Sequence, residues 1–321
     1  MKRVLLSLAL VFGLAAPAAA DDDVKIMFDW IPTGWHSAWY LGMKDGCFAK
    51  RKVNVTVLRG SGGVDAVNKV ASGAAEFGLA DLGTMMLAAE KNGAAVKALM
   101  PVGMNSPFGV MTLKDHAITS LRQLEGRSLA AGPGDSNIQA LPYAMKLAGG
   151  DFSKVKFEQA DFSALLGMLM QGRVDSFTTF DGTAGVLIPI AAAAGREVNF
   201  YNYGGGLHIY GLALFANSIW LADHRDLARR VVEGAQCAYL DGRAHPEAAL
   251  DAMLAEFPDR KRDVEMAGIQ SGIGAMFAPE VFDKYGFGWN AERVANTLSF
   301  NMAAHGFTEV KVKAEDLVAA P

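Results

Sequence analysis

The sequence predicts an α/β protein of two lobes, each built on a mainly parallel sheet, with a helical C-terminal extension. Three observations carry this reading. Apolar strand-like runs alternate with helical stretches through most of the chain, the pattern of consecutive βαβ units. The pattern changes near Asn105-Ser106-Pro107-Phe108, and the apolar run Tyr210 to Ala216 reads as a strand returning to the first lobe. From Leu221 on, the segments carry only helical apolar spacing. These breaks divide the chain into residues 21–105 and 213–321 for lobe 1 and 106–212 for lobe 2, two chain crossings that suit closure by hinge motion. A single doubly wound sheet through the whole chain is the rival topology.

The first twenty residues read as a secretory signal peptide. Lys2 and Arg3 precede an apolar run from Val4 to Ala16, and Pro17-Ala18-Ala19-Ala20 supplies small residues for cleavage after Ala20. The run is shorter than the roughly 20 apolar residues of a spanning helix, and no Cys stands at the cleavage site to take a lipid. The expected location is the periplasm. Cleavage leaves 28 basic and 34 acidic residues, a net charge of −6. No basic block exceeds Lys50-Arg51-Lys52, so neither a nucleic-acid footprint nor an anionic-membrane patch is supported.

In lobe 1, Val24 to Trp30 is a strand broken by Pro32 and Gly34, and a helix follows from about His36 to Lys50. Val53 to Leu58 is the next strand. Gly60-Ser61-Gly62-Gly63 then opens a helix in which Val64, Val67, Val70 and Ala71 share a face. Phe77 to Ala80 is a short strand, Asp81-Leu82-Gly83-Thr84 caps the next helix, and Val96 to Val102 is a strand. In lobe 2 the strands are Gly109 to Leu113, Arg127 to Ala131, Val155 to Glu158 and Val174 to Thr178. Helices are expected at Ser120 to Gly126, Ile138 to Leu147, Ser163 to Gln171 and Thr183 to Ala194. The tail carries helices at Ala228 to Tyr239, Pro246 to Glu256, Val264 to Ile273 and Ala291 to Ala304, expected to pack on lobe 1. Gly204-Gly205-Gly206 is a candidate hinge. Cys47 and Cys237 follow no metal-ligand spacing and read as two buried thiols, with pairing in an oxidising compartment as the alternative.

The candidate site is the aromatic run after the first strand. In open α/β sheets, ligands bind at the carboxyl ends of strands. There, Trp30, Trp35 and Tyr40 offer flat apolar faces for stacking, with Trp35 and either Trp30 or Tyr40 expected to touch ligand. Trp39 is expected to pack its helix onto the sheet. His36 at the helix start could donate to a ligand ring nitrogen or join the helix-start hydrogen bonds. Asp29, Asp81 and Asp181 each lie at or just past a strand end, and three acids suit a ligand bearing amino groups or positive charge. Asp81 could equally serve as an N-cap. Ser61 and Gly62, and Ser136 and Asn137 after Gly132-Pro133-Gly134-Asp135, precede helices whose N–H groups could hold an anion. No G-x-S-x-G, H-E-x-x-H, Cys-x-x-Cys or phosphate-loop motif occurs, and the six His show no metal spacing. No cofactor is expected.

Asp29-Trp30-Ile31-Pro32-Thr33 with His36, then Gly46-Cys47-Phe48, Gly73-Ala74-Ala75-Glu76-Phe77-Gly78, Ser106-Pro107-Phe108-Gly109-Val110 and Leu121 to Gly126, resemble the thiamine-pyrimidine-synthase-like group of periplasmic solute-binding proteins. The resemblance runs in order from about residue 25 to 190 and implies a type II periplasmic-binding-protein fold. It also implies a monomer that delivers a small-molecule ligand to an ABC transporter permease. The group's better-known ligands are thiamine pyrimidine precursors, and wider relatives carry nitrate, taurine and alkanesulphonates. Some members are enzymes that build the thiamine pyrimidine, with a Cys-rich iron-binding run where this chain has Gly204 to Leu212 and no Cys. The resemblance therefore implies a heteroaromatic-solute receptor, with an anion receptor, in which Arg59 would be the nearest cation, and a pyrimidine-synthesis enzyme as alternatives.

Overall fold

The computed structural model describes residues 21–133 and 135–319, and the expected signal peptide and Gly134 lie outside these residues. Lobe 1 opens with β1 (Asp22–Met27), α1 (Ser37–Lys44), β2 (Val53–Leu58), α2 (Gly63–Ala71), β3 (Phe77–Asp81), α3 (Leu82–Asn92) and β4 (Val96–Pro101). After a first crossing come β5 (Phe108–Leu113), β6 (Ser128–Ala131), α4 (Ser136–Leu147), β7 (Lys156–Gln159), α5 (Leu165–Met170), β8 (Ser176–Phe180), α6 (Asp181–Ala193) and β9 (Val198–Asn202). A second crossing leads to β10 (Leu212–Asn217), α7 (Ser218–Asp223), α8 (Arg225–Ala244), α9 (Pro246–Glu256), α10 (Arg262–Met276), α11 (Pro279–Tyr285) and α12 (Ala291–Ala304).

Two five-stranded sheets result, β2-β1-β3-β10-β4 and β7-β6-β8-β5-β9. In each, the strand that enters directly from a crossing runs antiparallel: β10 to β3 and β4, and β5 to β8 and β9. The strands that lead into the crossings, β4 and β9, end at the junction of the lobes, so β5 and β10 start there. Antiparallel pairing then forces β3 and β8, and with them β1, β2, β6 and β7 by parallel pairing, to end on the same interlobe side. Topology alone therefore places the carboxyl ends of both sets of parallel strands facing one cleft.

Each sheet is covered on both faces. Side chains alternate along β10, with Leu212, Leu214 and Ala216 in one core of lobe 1 and Ala213 and Phe215 in the other. Two further cores flank the lobe 2 sheet, one around Leu129, Leu141 and Tyr203 and one around Met111, Leu169 and Phe177. Burial on both faces explains why β3 and β10 read as nearly unbroken apolar runs.

Several expectations are corrected. The helix after β1 begins at Ser37, behind a 3-10 turn at Gly34–His36, and stops at Lys44 because Gly46 turns the chain at φ 83°. The edge strand β9 and the short α7 and α11 are additional elements. The triplet Gly204-Gly205-Gly206, the candidate hinge, lies in a 3-10 turn within the second crossing. Cys47 and Cys237 are not two thiols: α1 lies along α8, bringing their Cα atoms to 5.7 Å, and the sulfurs form a disulfide. Trp39, fully buried as expected, stacks on Phe48 beside that bond at 5.4 Å and donates its indole N–H to the Tyr239 hydroxyl at 2.8 Å. The tail is not confined to lobe 1. α10 accepts the Gly34 amide through Glu265 at 2.6 Å and reaches α6 through Ser271, and α12 meets α4 through His305 and Gln139 at 3.0 Å. Among the described residues no helix is long and apolar enough to cross a membrane.

Candidate functional site

The lobe 1 wall starts at the end of β1. Asp29 is 29% exposed, and its Oδ1 accepts the Nε2 proton of His36 at 3.1 Å. Nδ1 of the same ring accepts the Thr33 amide at 3.2 Å, which assigns the proton to Nε2. The imidazole also stacks on Phe28, with centroids 4.6 Å apart. Both nitrogens are therefore engaged inside the protein and the ring is buried, so His36 orients Asp29 and does not reach a ligand itself. Trp30, the next residue, is 45% exposed.

Asp81 ends β3 and caps α3, its Oδ1 accepting the Thr84 amide at 3.1 Å. Burial pushes its carboxyl up to about 7, against the Thr84 and Gly83 amides, and the Asp29 charge adds to the rise. On the lobe 2 wall, Asp181 begins α6. Its Oδ1 accepts the Gly182 amide at 2.6 Å, its own amide donates to the Pro107 carbonyl at 3.0 Å, and its carbonyl accepts Ser271 Oγ–H at 2.8 Å. Burial likewise raises the Asp181 carboxyl to about 7. Both residues are half-buried at ends of strands that face the cleft.

The loop ahead of α2 has its amides engaged within the protein, with no side-chain cap on the helix itself, and α4 is capped by a carboxylate. Ser61 donates its amide to Asp65 at 3.0 Å and Gly62 donates to the Asp29 carbonyl at 2.7 Å. At α4, Asp135 caps the helix through the Asn137 amide at 2.8 Å. Asn137 is fully buried: its amide nitrogen donates to the Gly109 and Thr179 carbonyls, each at 2.8 Å, and its side-chain oxygen accepts the Tyr203 hydroxyl. It ties strands together and leaves nothing for a ligand. Ser136, beside it, is half-buried and Ser61 is exposed.

The aromatic residues divide in the same way. Tyr40 is buried edge-on against Phe257 at 5.6 Å and packs α1 on α9, away from the strand ends. Trp35 is half-buried between the lobes, in a slot where Gly182 of α6 and Gly272 of α10 leave room for its ring. A Cβ on either glycine would lie 3.0 or 2.9 Å from the indole. The sequence signal for α10 joining this wall was only its small residues at Gly268, Ser271 and Gly272. The structure thus brings Asp29, Trp30 and Asp81 to one wall and Asp181 to the other, with Trp35 between them.

Three known proteins bear on this arrangement. A formylaminopyrimidine-binding protein of Halalkalibacterium halodurans is 26% identical over 98% of this chain and 97% of that protein. A 4-amino-5-hydroxymethyl-2-methylpyrimidine phosphate synthase of Uromyces fabae is 28% identical over 34% of this chain and 32% of its own. In fold, the chain is similar to the periplasmic aliphatic sulphonate binding protein SsuA from Escherichia coli, with a TM-score of 0.71 at 15% identity over 94% of this chain and 92% of that one. The two lobes and their crossings are thus a periplasmic-binding-protein fold. The family description "NMT1/THI5 like" matches residues 34–249, more than half of the sequence, and the chain belongs to that family.

Proposed function

We propose that this chain is the periplasmic solute-binding component of an ABC importer and that its lobes close on a small aminopyrimidine. The observation that carries this reading is the pairing of an exposed indole, Trp30, with carboxyls of Asp29, Asp81 and Asp181 at strand ends that face one cleft. A 4-aminopyrimidine presents an N–H donor beside a ring-nitrogen acceptor. A protonated carboxyl offers the matching acceptor and donor, and a carboxylate accepts the amino group alone. The full-length similarity to a formylaminopyrimidine-binding protein supports the same ligand class.

An anionic solute fits less well, because Asp135 caps α4 and Asp65 places a further carboxylate in the first turn of α2. A pyrimidine-synthesis enzyme fits less well too, because His36 has no free ring nitrogen.

Thermal unfolding of residues 21–321 tests the reading against aminopyrimidines, aliphatic sulphonates and nitrate. A ligand that binds only the folded state adds about 2.7 kcal/mol at a hundredfold excess over its Kd. We expect a shift with the aminopyrimidines alone, and about a tenfold weaker Kd for Trp30→Ala from lost stacking and burial. A shift confined to the anions would refute the assignment.

A further inference from the structure

The lobe 2 wall carries an aromatic ring that the sequence did not mark as part of the site. Phe162 follows β7 in a 3-10 turn, Phe162–Ala164, which Asp161 caps by accepting the Ser163 amide at 2.8 Å and the Ser163 hydroxyl at 2.6 Å. β7 runs parallel to β6, and β6 parallel to β8. The turn therefore emerges at the same interlobe end as Asp181.

Its ring does not fold back into a core. It lies against Gly132, just past β6, where an added Cβ would come within 2.2 to 2.5 Å of three ring atoms. A residue with a side chain at 132 would displace the ring, so the glycine fixes its seat beside the start of α4. The ring is nonetheless 45% exposed, as Trp30 is on the opposite wall.

Other aromatic rings near these strand ends have partners inside the protein: Phe28 with His36, Tyr40 with Phe257, and Phe180 with Phe108 at 6.0 Å. Phe157, also exposed, sits within the edge strand β7 and packs on Phe152 at 6.2 Å. Among the described residues, Trp30 and Phe162 are the exposed large rings that follow strands ending on the interlobe side, and Trp35 lies half-buried between the walls. Exposed apolar residues are common singly, but two exposed rings at facing strand ends of one cleft have a shared use.

We propose that Phe162 is a specificity-determining residue, the lobe 2 jaw of an aromatic clamp whose other jaw is Trp30, so that closure covers both faces of a flat heteroaromatic ring. This rests on the aminopyrimidine reading above and adds to it a recognition residue contributed by the second lobe. The clamp selects planar unsaturated rings, because offset stacking needs a π-face toward each jaw. It also couples recognition to closure, since the ring is covered on both faces only when the lobes meet.

The test is isothermal titration with 4-amino-5-hydroxymethyl-2-methylpyrimidine against wild type, Phe162→Ala, Phe162→Leu and Phe162→Tyr. Circular dichroism melts without ligand confirm that each variant folds. We expect Phe162→Ala to weaken binding about tenfold, Phe162→Leu to fall between, and Phe162→Tyr to stay within about threefold of wild type. If Phe162→Ala stays within about twofold while Trp30→Ala is impaired, the clamp is refuted and the receptor reading stands. If wild type binds no aminopyrimidine, the receptor reading fails and the clamp falls with it.

Discussion

Asp81 and Asp181 hold protons near neutral pH because each carboxyl is buried at a helix start, and the amides that stabilise the charged form do not offset that burial. The sign of the effect follows from linkage. An acid whose pKa rises from about 4 unfolded to about 7 folded contributes stability that is fully present below about pH 4 and is lost as pH rises through 7. Asp65 and Asp175, held low by Lys69 and by the Ser128 amide, titrate below that window. Ligand-free protein should therefore lose stability between about pH 4 and 7, and an Asp81→Asn, Asp181→Asn double variant should flatten that slope in urea melts. An unchanged slope would mean that other groups cause it. Affinity for a neutral aminopyrimidine should fall as pH rises above 7, because a carboxyl that both donates and accepts must first take up a proton. At this scale the sequence was legible in part. Strand ends located Asp29, Asp81 and Asp181, since apolar runs mark where a strand stops. It could not show that His36 spends both nitrogens on its near neighbours Thr33 and Asp29, because that depends on how the 3-10 turn folds the loop back, or that Asn137 is consumed by two carbonyls and a hydroxyl, because those partners come from strands and loops distant in sequence.

The pairing of α1 with α8 is the element contact with the largest covalent consequence. The Cys47–Cys237 disulfide closes a loop with a sequence separation of 190, for which chain-entropy reasoning gives about 5 kcal/mol as an upper figure. A Cys47→Ala, Cys237→Ala variant should lose about 3 to 5 kcal/mol of unfolding free energy in urea, and reductant should lower wild type comparably. A loss below about 1 kcal/mol in both would show that the packing of Trp39 on Phe48 and Tyr239 already holds the helices together. Secondary structure was largely readable wherever burial is two-sided or amphipathic. β2, α9 and α12 fall where their apolar patterns place them. β9 escaped because Val-Asn-Phe-Tyr-Asn is a five-residue edge strand, half-buried along its length with neither a clean alternation nor an apolar run, and α7 and α11 because six or seven residues barely establish a helical period. The disulfide and the reach of α10 into lobe 2 are tertiary facts, and local periodicity carries no information about which helices become neighbours.

At the scale of the whole molecule, the proposed closure has to bend two crossings that are pinned together. The Gly211 amide donates to the Gly103 carbonyl at 3.0 Å, and the Ser106 amide donates to the Ile209 carbonyl at 3.1 Å, so the crossings run as a short ladder between the lobes. Arg293 of α12 is buried at their junction. One of its terminal nitrogens donates to the Met104 carbonyl at 2.8 Å, the Asn105 side chain at 2.6 Å and the Ile209 carbonyl at 3.2 Å, and its guanidinium lies over the Tyr210 ring at 5.5 Å. A single cation thus holds both crossings to a helix that itself touches α4 of lobe 2. The proposed pivot is this pinned ladder, and the 3-10 turn at Gly204–Leu207 belongs to the second crossing, with Gly204 against the Ser106 backbone of the first. Replacing Arg293 by Met keeps much of the apolar stem but leaves buried acceptors without their donor, a cost of about 1 to 3 kcal/mol for each group that water cannot reach. Arg293→Met should lower unfolding free energy by about 2 to 4 kcal/mol in total. It should also loosen the angle between the lobes, seen as a larger radius of gyration for the ligand-free protein in small-angle scattering. Lys at this position restores charge but not the planar guanidinium that lies over the Tyr210 ring, so Arg293→Lys should recover only part of the stability. If Arg293→Met loses stability with no change in scattering, the guanidinium is a packing element of lobe 1 and the pivot lies in the backbone ladder alone.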